Sequence, residues 1–338
     1  MPVPGHVNPT LPVARALVHR GHRVRYFTSV AFADRVAASG AEPVVYGTAV
    51  GPEVMRPPRS LTALARETDA LGAALLPDVL RALRADPPDL VAYDSMCTWG
   101  HTAACAFPAM CWTATVALHP SFLPAGDAPA AFVHRGEHPT AVFTSRAFQP
   151  GADLFDGEMA WVGYPPAELS TSSSRSHTYA ALGTLFNERP EVFRAIAEAI
   201  DGEVLMAVGR ADLGALGPLP EPVRAVPWVD DQAAVLRQAR LFVSHGGMNS
   251  VSEALVAGTP LLVLPQTAEQ AVNARRVAEL GAGRVLWDEH PTPERIRAAA
   301  VAVLASDAAE RAARLGRTLA EPGPGAAADA VEAAASRA

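Results

Sequence analysis

The 338-residue chain contains no lysine at all, so arginine carries every one of its 28 basic charges. With Ala, Arg, Gly and Pro abundant, this reads as the imprint of a GC-rich genome. Cysteine is nearly as scarce. Cys97, Cys105 and Cys111 form no Cys-x-x-Cys unit and leave an odd count, which argues against a metal knuckle or a disulfide framework and for reduced, buried thiols. No apolar run is long enough to cross a bilayer, and the amino terminus lacks the basic and apolar regions of a secretory signal. The expectation is a cytoplasmic protein without stable membrane insertion. Clustered cations are missing too: the net charge is -7, which argues against a nucleic-acid or anionic-membrane partner. A local anion site stays open, because a few backbone N–H groups and one Arg or His can build it. There is no Asp-x-Asp pair to hold a metal-bound diphosphate, and His101, His119, His134, His138 and His177 are scattered without ligand spacing. No metal and no cofactor are expected. No repeat of solenoid period is visible.

What is present suits a globular protein with large cores: 49% hydrophobic and 19% charged residues. The length favours two domains. Short Val/Leu/Ile-rich runs alternate with amphipathic Ala/Arg/Glu-rich stretches, the pattern of βα units around parallel sheets. Asn8 and Pro9 resemble a helix N-cap and first turn before Leu11–Val18. Strands are expected at Arg23–Thr28, Asp89–Tyr93, Tyr179–Leu182, Val204–Val208, Leu241–Ser244 and Pro260–Leu264, and helices from Pro190 and beyond Pro293. The Pro/Ser/Thr-rich stretch around Gly163–Ser176 reads as a linker. The expected organisation is a domain over 1–165, a linker over 166–177, a second domain over 178–322 and a carboxy-terminal helix over 323–338. Packing of that helix back onto the first domain is left open.

Two segments carry chemistry. From Leu241 to Leu255 a buried strand runs through Ser244-His245-Gly246-Gly247 into a helix. Glycines allow a ligand to come close, and the new helix directs N–H groups and its positive dipole end outward, so a phosphate belongs there. His245 and Ser250 could add hydrogen bonds. On spacing alone, a plain strand-to-helix turn with a capping histidine explains the segment equally well. The second segment is Gly5-His6-Val7-Asn8-Pro9. His6, placed just outside the first helix, would be kept neutral by the helix dipole and could accept a proton. Asp94, at the carboxyl end of a strand in the same half, could orient the ring. A turn histidine and a helix-capping aspartate remain the plainer explanation by spacing.

These residues also carry a resemblance. Trp228 through Gln270 resembles the donor-binding signature of the family 1, GT-B-fold glycosyltransferases, the bacterial macrolide and antibiotic branch in particular. Gly5–Pro9 is similar to that family's amino-terminal loop, and Leu182-Gly183-Thr184 to the first turn of its carboxy-terminal domain. The resemblance implies two Rossmann-like parallel-sheet domains facing each other across a cleft. It implies that Trp228 stacks on the nucleotide base, with Gln232 near the base and ribose. His245, the Gly246-Gly247 turn, Asn249, Ser250 and Thr184 would cradle the diphosphate. Glu253 would bind the ribose hydroxyls, Glu269 and Gln270 the donor sugar. His6 and Asp94 take the places of the general base and its partner. Trp228-Val229-Asp230-Asp231-Gln232 is one residue longer than the usual Trp-x-Pro-Gln, the chain begins almost at the Gly-His loop, and 119–147 is shorter than in relatives.

The reading that follows is a soluble, metal-independent, inverting glycosyltransferase. It would move a sugar from a UDP or TDP sugar to a hydroxyl of a hydrophobic natural product such as a polyketide or macrolide antibiotic. Its partners would be the donor and the small-molecule acceptor, with a homodimer left open. A nucleotide-sugar epimerase or hydrolase on the same fold is a rival. So is a catalytically silent nucleotide-sugar-binding activator of another transferase, although such a module has no use for His6 and Asp94.

Overall fold

Strands that are apolar on both faces must be covered on both faces, and helices that cross over between them do the covering. The computed structural model describes residues 1–47, 60–115, 117, 121–122, 137–155, 159–165 and 175–337. The chain divides into two compact units, Met1–Pro166 with Glu321–Ala338 and Ala167–Ala320.

In the first unit, α1 (Pro4–Val7) and α2 (Leu11–His19) lead into β1 (Arg25–Thr28), α3 (Ala33–Ala38) and β2 (Glu42–Val45). After α4 (Leu61–Ala85) come β3 (Val91–Asp94), α5 (Thr98–Ala104), β4 (Ala109–Thr113), β5 (Thr140–Val142) and β6 (Met159–Trp161). All pairings are parallel, in a β1-β2 ribbon and a β3-β4-β5-β6 sheet. Helix α4 illustrates how sequence makes these elements. Ser60 caps it by accepting the Ala63 N–H, and Leu64, Thr68, Gly72, Leu75, Val79 and Leu83 recur at helical spacing as its buried stripe.

In the second unit, β7 (His177–Ala181), α6 (Pro190–Ala199), β8 (Val204–Ala207), β9 (Val223–Val226), α7 (Gln232–Gln238) and β10 (Ala239–Ser244) are followed by α8 (Met248–Val256), β11 (Leu261–Val263), α9 (Ala268–Glu279), β12 (Gly283–Val285), α10 (Pro293–Leu304) and α11 (Ala308–Ala320). Six parallel strands run in the order β12-β11-β10-β7-β8-β9. This is the dinucleotide-fold order, and its direction reverses between β7 and β10. The core on one side of the sheet is built from Val192, Phe193, Ile196, Met206, Val243, Leu262 and Ile296.

The last helix, α12 (Gly323–Ala335), belongs to the first unit. Its Ala327, Ala328 and Ala334 pack with Val13 and Leu17 of α2 and Met110 of β4. Arg20 reaches Asp329 and Glu332, both at 2.7 Å, and His22 reaches Glu332 at 2.8 Å. These pairs are solvent-exposed and add little, so the small apolar face holds the helix.

Several local expectations need correction. Asn8 is not the cap of the first long helix. It ends the one-turn α1, whose Pro4 supplies a preset φ, and Thr10 occupies the position before α2. His6 therefore sits inside α1 rather than in a loop ahead of a helix. Arg23 and Val24 lie outside β1, Asp89 and Leu90 precede β3, and Asp94 is the last residue of that strand. The second sheet starts two residues earlier than expected, at His177, the last residue of the expected linker. Arg175 already bonds the Ala239 carbonyl and the Thr259 hydroxyl, at 2.8 and 2.7 Å. Linker residues 166–174 lie outside the described residues, as do His119, His134 and most of the short stretch over 119–147. His101 pairs with Glu137 at 2.8 Å and His138 with the Tyr93 hydroxyl at 2.9 Å.

Candidate active site

In the first unit the site is built where β3 ends. The Asp94 carboxylate accepts the Met96 N–H at 2.8 Å through Oδ1, closing a local Asx-type turn ahead of α5. Its other oxygen, Oδ2, lies 2.6 Å from His6 Nδ1. A carboxylate only accepts, so Nδ1 carries a proton, and in the neutral ring Nε2 is the nitrogen that holds the lone pair. Burial alone would push the Asp94 carboxyl up. The His6 contact, the amino-terminal ammonium of Met1 and the Met96 N–H outweigh it and bring it to about 2. The pair is partly exposed, with side-chain accessibilities of 21% and 17%, so a substrate can reach the ring. Thr10 fixes the segment from behind: its hydroxyl donates to the Val7 carbonyl at 2.9 Å and meets the Tyr26 hydroxyl at 2.6 Å. Asp94 is therefore not a helix cap, since α5 begins after Cys97 without a side-chain cap; one oxygen closes a turn onto Met96 and the other meets the His6 ring.

In the second unit two turns meet at the switch point. Ser244 at the end of β10 pairs with Ala181 at the end of β7, which brings His245-Gly246-Gly247 beside Leu182-Gly183-Thr184. His245 lies between two glycines. A Cβ on Gly183 or Gly247 would come within 2.7 or 2.4 Å of its Nε2. Gly183 also has φ +85, a conformation other residues rarely adopt. Asn187 holds the Gly183 carbonyl at 2.5 Å. Burial pushes the His245 imidazole down to about 4, with the Ala181 backbone contact working weakly against it. His245 is therefore neutral at physiological pH. It can contribute a hydrogen bond but no charge. Helix α8 starts at Met248 behind Gly247 with no side-chain cap, whereas α7 and α9 are capped by Asp231 and Thr267. Asn249 and Ser250 occupy its first turn, partly buried.

The remaining candidates divide into a bonded set and one outlier. Gln232, the first residue of α7, accepts from the Tyr179 hydroxyl at 3.0 Å and donates to Glu253 Oε2 at 2.5 Å. Tyr179 is fully buried and stacked on Phe242, with ring centroids 5.1 Å apart. Burial, with the charge of Glu253, pushes its phenol up, so it stays a donor and sets which way the Gln232 amide points. Glu269 and Gln270 open α9. Gln270 is only 5% exposed, and its Oε1 accepts the Gln266 N–H at 2.8 Å, so Nε2 is the donor end of its amide. Asn273 bonds Glu269. Neither Tyr179 nor Asn273 stands out in the sequence. The only local signal is the i, i+4 spacing of Glu269 and Asn273 on one helix. Trp228 follows β9, two strands from β7, and its ring is 50% exposed.

Comparison with known proteins gives the same picture. Residues 191–334 match the family model for the erythromycin biosynthesis protein CIII-like carboxy-terminal domain. The oleandomycin glycosyltransferase of Streptomyces antibioticus is 32% identical over 365 residues, 94% of this chain and 84% of that protein. The NDP-glycosyltransferase YjiC of Bacillus subtilis (strain 168) is 31% identical over 349 residues, 90% of this chain and 87% of that protein. Among solved structures, the calicheamicin glycosyltransferase CalG4 superposes with a TM-score of 0.75 at 34% identity, over 99% of this chain and 97% of that one. Two parallel-sheet Rossmann-like units, a glycine turn at the switch point and this similarity along nearly the whole chain lead to one assignment: the chain belongs to the antibiotic-type GT-B family and is a glycosyltransferase.

Proposed function

We propose that this enzyme transfers a sugar from a UDP or TDP sugar to a hydroxyl of a hydrophobic natural product, in the cytoplasm and with inversion at the anomeric carbon. The observation that carries the proposal is the 2.6 Å His6–Asp94 pair, which leaves His6 Nε2 as a base. The acceptor oxygen attacks the anomeric carbon as its proton passes to Nε2. The bond from that carbon to the diphosphate oxygen breaks, and the nucleoside diphosphate departs with the electron pair. Asp94 stabilises the imidazolium that forms, and the proton is later lost to solvent. A single displacement inverts the centre. The departing charge is received by the start of α8 and by the His245 ring. Co-incubation with UDP- and TDP-glucose and a panel of macrolide and polyketide aglycones, read by mass spectrometry, tests the assignment. Absence of any glycosylated product would sink it.

Two further outcomes follow from the donor site. If Trp228 stacks on the base, UDP or TDP alone should quench tryptophan fluorescence. Trp228→Ala should then weaken nucleotide binding by about 1–3 kcal/mol, the scale of base–aromatic stacking. Unchanged affinity would remove Trp228 from the site. The second concerns metal. Among the described residues no group of three or more His, Cys, Asp or Glu is placed to hold an ion. With helix N–H groups and His245 proposed for the diphosphate, transfer should persist in excess EDTA. Activity lost to the chelator and restored by magnesium would contradict this assignment.

A further inference from the structure

Asn273 lies on α9 one turn beyond Glu269 and is fully buried. Both hydrogens of its amide are engaged. Nδ2 donates to the Gly246 carbonyl at 3.0 Å and to Glu269 Oε1 at 2.6 Å. The carbonyl it holds belongs to a residue with φ +88, where a Cβ would come within 2.8 Å of Val263 and 3.2 Å of the Gln270 main chain. The Ser244 hydroxyl accepts the Gly246 N–H at 3.2 Å from within the turn, and the Asn273 bond from α9 holds the carbonyl of the same residue. The Asn273 carbonyl, Oδ1, has no hydrogen-bond partner. An unpaired buried acceptor costs free energy that a Leu of similar volume would avoid. Packing alone therefore does not explain an asparagine here. Its two donors do.

We propose that Asn273 is a positioning residue for donor recognition, tying the Glu269 carboxylate to the Gly246-Gly247 turn so that donor sugar and diphosphate are gripped in one fixed register. This rests on the reading of Glu269 as the sugar-binding acid. The electrostatics agree. Burial pushes the Glu269 carboxyl up to about 7, and the Asn273 bond works against it. Titratable groups on the elements packed around α9 are His245 and Glu253 at and within α8, Arg284 on β12, and Arg275, Arg276 and Glu279 on α9 itself. None of them contributes to the shift. Without Asn273, burial is unopposed, Glu269 takes up its proton at higher pH, and its oxygens are less able to accept sugar hydroxyls. No side chain of similar size replaces it. Asp has the same shape but presents only acceptors to a carbonyl and a carboxylate, and Ser keeps a single donor.

The test compares UDP and TDP with UDP-glucose and TDP-glucose by titration calorimetry across pH, using the full chain. The quantity read is the extra affinity that the sugar contributes. Glu269→Gln should reduce that increment and flatten its pH dependence. Asn273→Ala should weaken the sugar nucleotide by about tenfold, the loss expected for a hydrogen bond to a charged group, and the plain diphosphate by much less. Its acidic limb should move to higher pH, and raising the pH should restore part of the affinity. Asn273→Ser should shift the limb in the same direction by less, and Glu269→Gln with Asn273→Ser should be no worse than Glu269→Gln alone. An unmoved limb, equal weakening of diphosphate and sugar nucleotide at every pH, or loss of folding in both Asn273 variants would overturn the proposal. If Glu269→Gln itself leaves the sugar increment intact, the sugar-subsite reading falls instead.

Discussion

His6→Ala is expected to lower turnover by about two to four orders of magnitude, the contribution of a positioned general base. The affinity for UDP or TDP should hardly change, because the nucleotide contacts are assigned to residues of the other unit. The effect follows from the tautomer. Asp94 accepts from Nδ1 and leaves Nε2 basic. Asp94→Asn should be severe for a related reason. An amide can donate to Nδ1 and so favour the ring form whose Nε2 is protonated and cannot accept. Since the two residues act as a unit, the double variant should be little worse than His6→Ala. Steady-state rates with a fixed acceptor, paired with calorimetry of nucleotide binding, measure both quantities. Undiminished transfer by His6→Ala would discard the mechanism. The same pair bears on stability. The folded Asp94 carboxyl sits at about 2, below the ordinary value of 3.8 for an aspartate. Its ionised form therefore stabilises the fold above that value, and the contribution is lost as pH falls toward 2.

The sequence reveals the strand–turn–helix of Ala239–Val256 because each of its signals is local: an apolar run, two glycines and then helical spacing. It does not reveal what that turn stands beside. The neighbouring Gly183 turn arrives only through the β7–β10 pairing, which joins segments about sixty residues apart. Gln232 shows the same limit. From its spacing after Trp228 its place looks doubtful, whereas Tyr179 and Glu253, 53 and 21 residues away, hold it from both ends. Asn273 is invisible for a different reason. On an amphipathic helix an Asn reads as solvent-facing, and only the fold shows that this one is buried.

The miss at Asn8 has a plain cause. A four-residue helix is too short to show a period, and Asn-Pro is a strong turn signal. Yet Pro4 already presets the backbone, and the Val7 and Asn8 N–H groups close onto the Val3 and Pro4 carbonyls, both at 3.0 Å. The expected start of β7 falls two residues late because the stretch before the strand is rich in Ser. The buried His177 opens that strand with its Nε2 unpartnered, a composition that does not look like sheet.

The second large effect is expected at His245. His245→Ala should lower kcat by about two to three orders of magnitude, the usual loss when one preorganised donor to a departing anion is removed. The ring stands where the two turns of the switch point meet, wedged between Gly183 and Gly247, at the start of α8. A side chain held so tightly loses little entropy when the diphosphate arrives, which is the condition for stabilising a departing group rather than merely binding it. Its contribution should come from a neutral N–H, because burial holds the imidazole at about 4. The ratio of wild-type to variant rates should therefore stay constant between about pH 6 and 8, a range in which an ordinary histidine would change its charge. Using the ratio cancels titration of the nucleotide and of His6, which both proteins share. His245→Gln, with an N–H of comparable reach, should recover part of the loss. The folded ring sits below its ordinary value, so its stabilising share is full above about 6.5 and fades as pH falls toward 4. Rates are for that reason compared only above about pH 6, where both proteins can be checked as folded by circular dichroism. A ratio that climbs steeply as pH drops from 8 to 6 would mean that His245 acts as a cation, and the neutral-donor account would have to be abandoned.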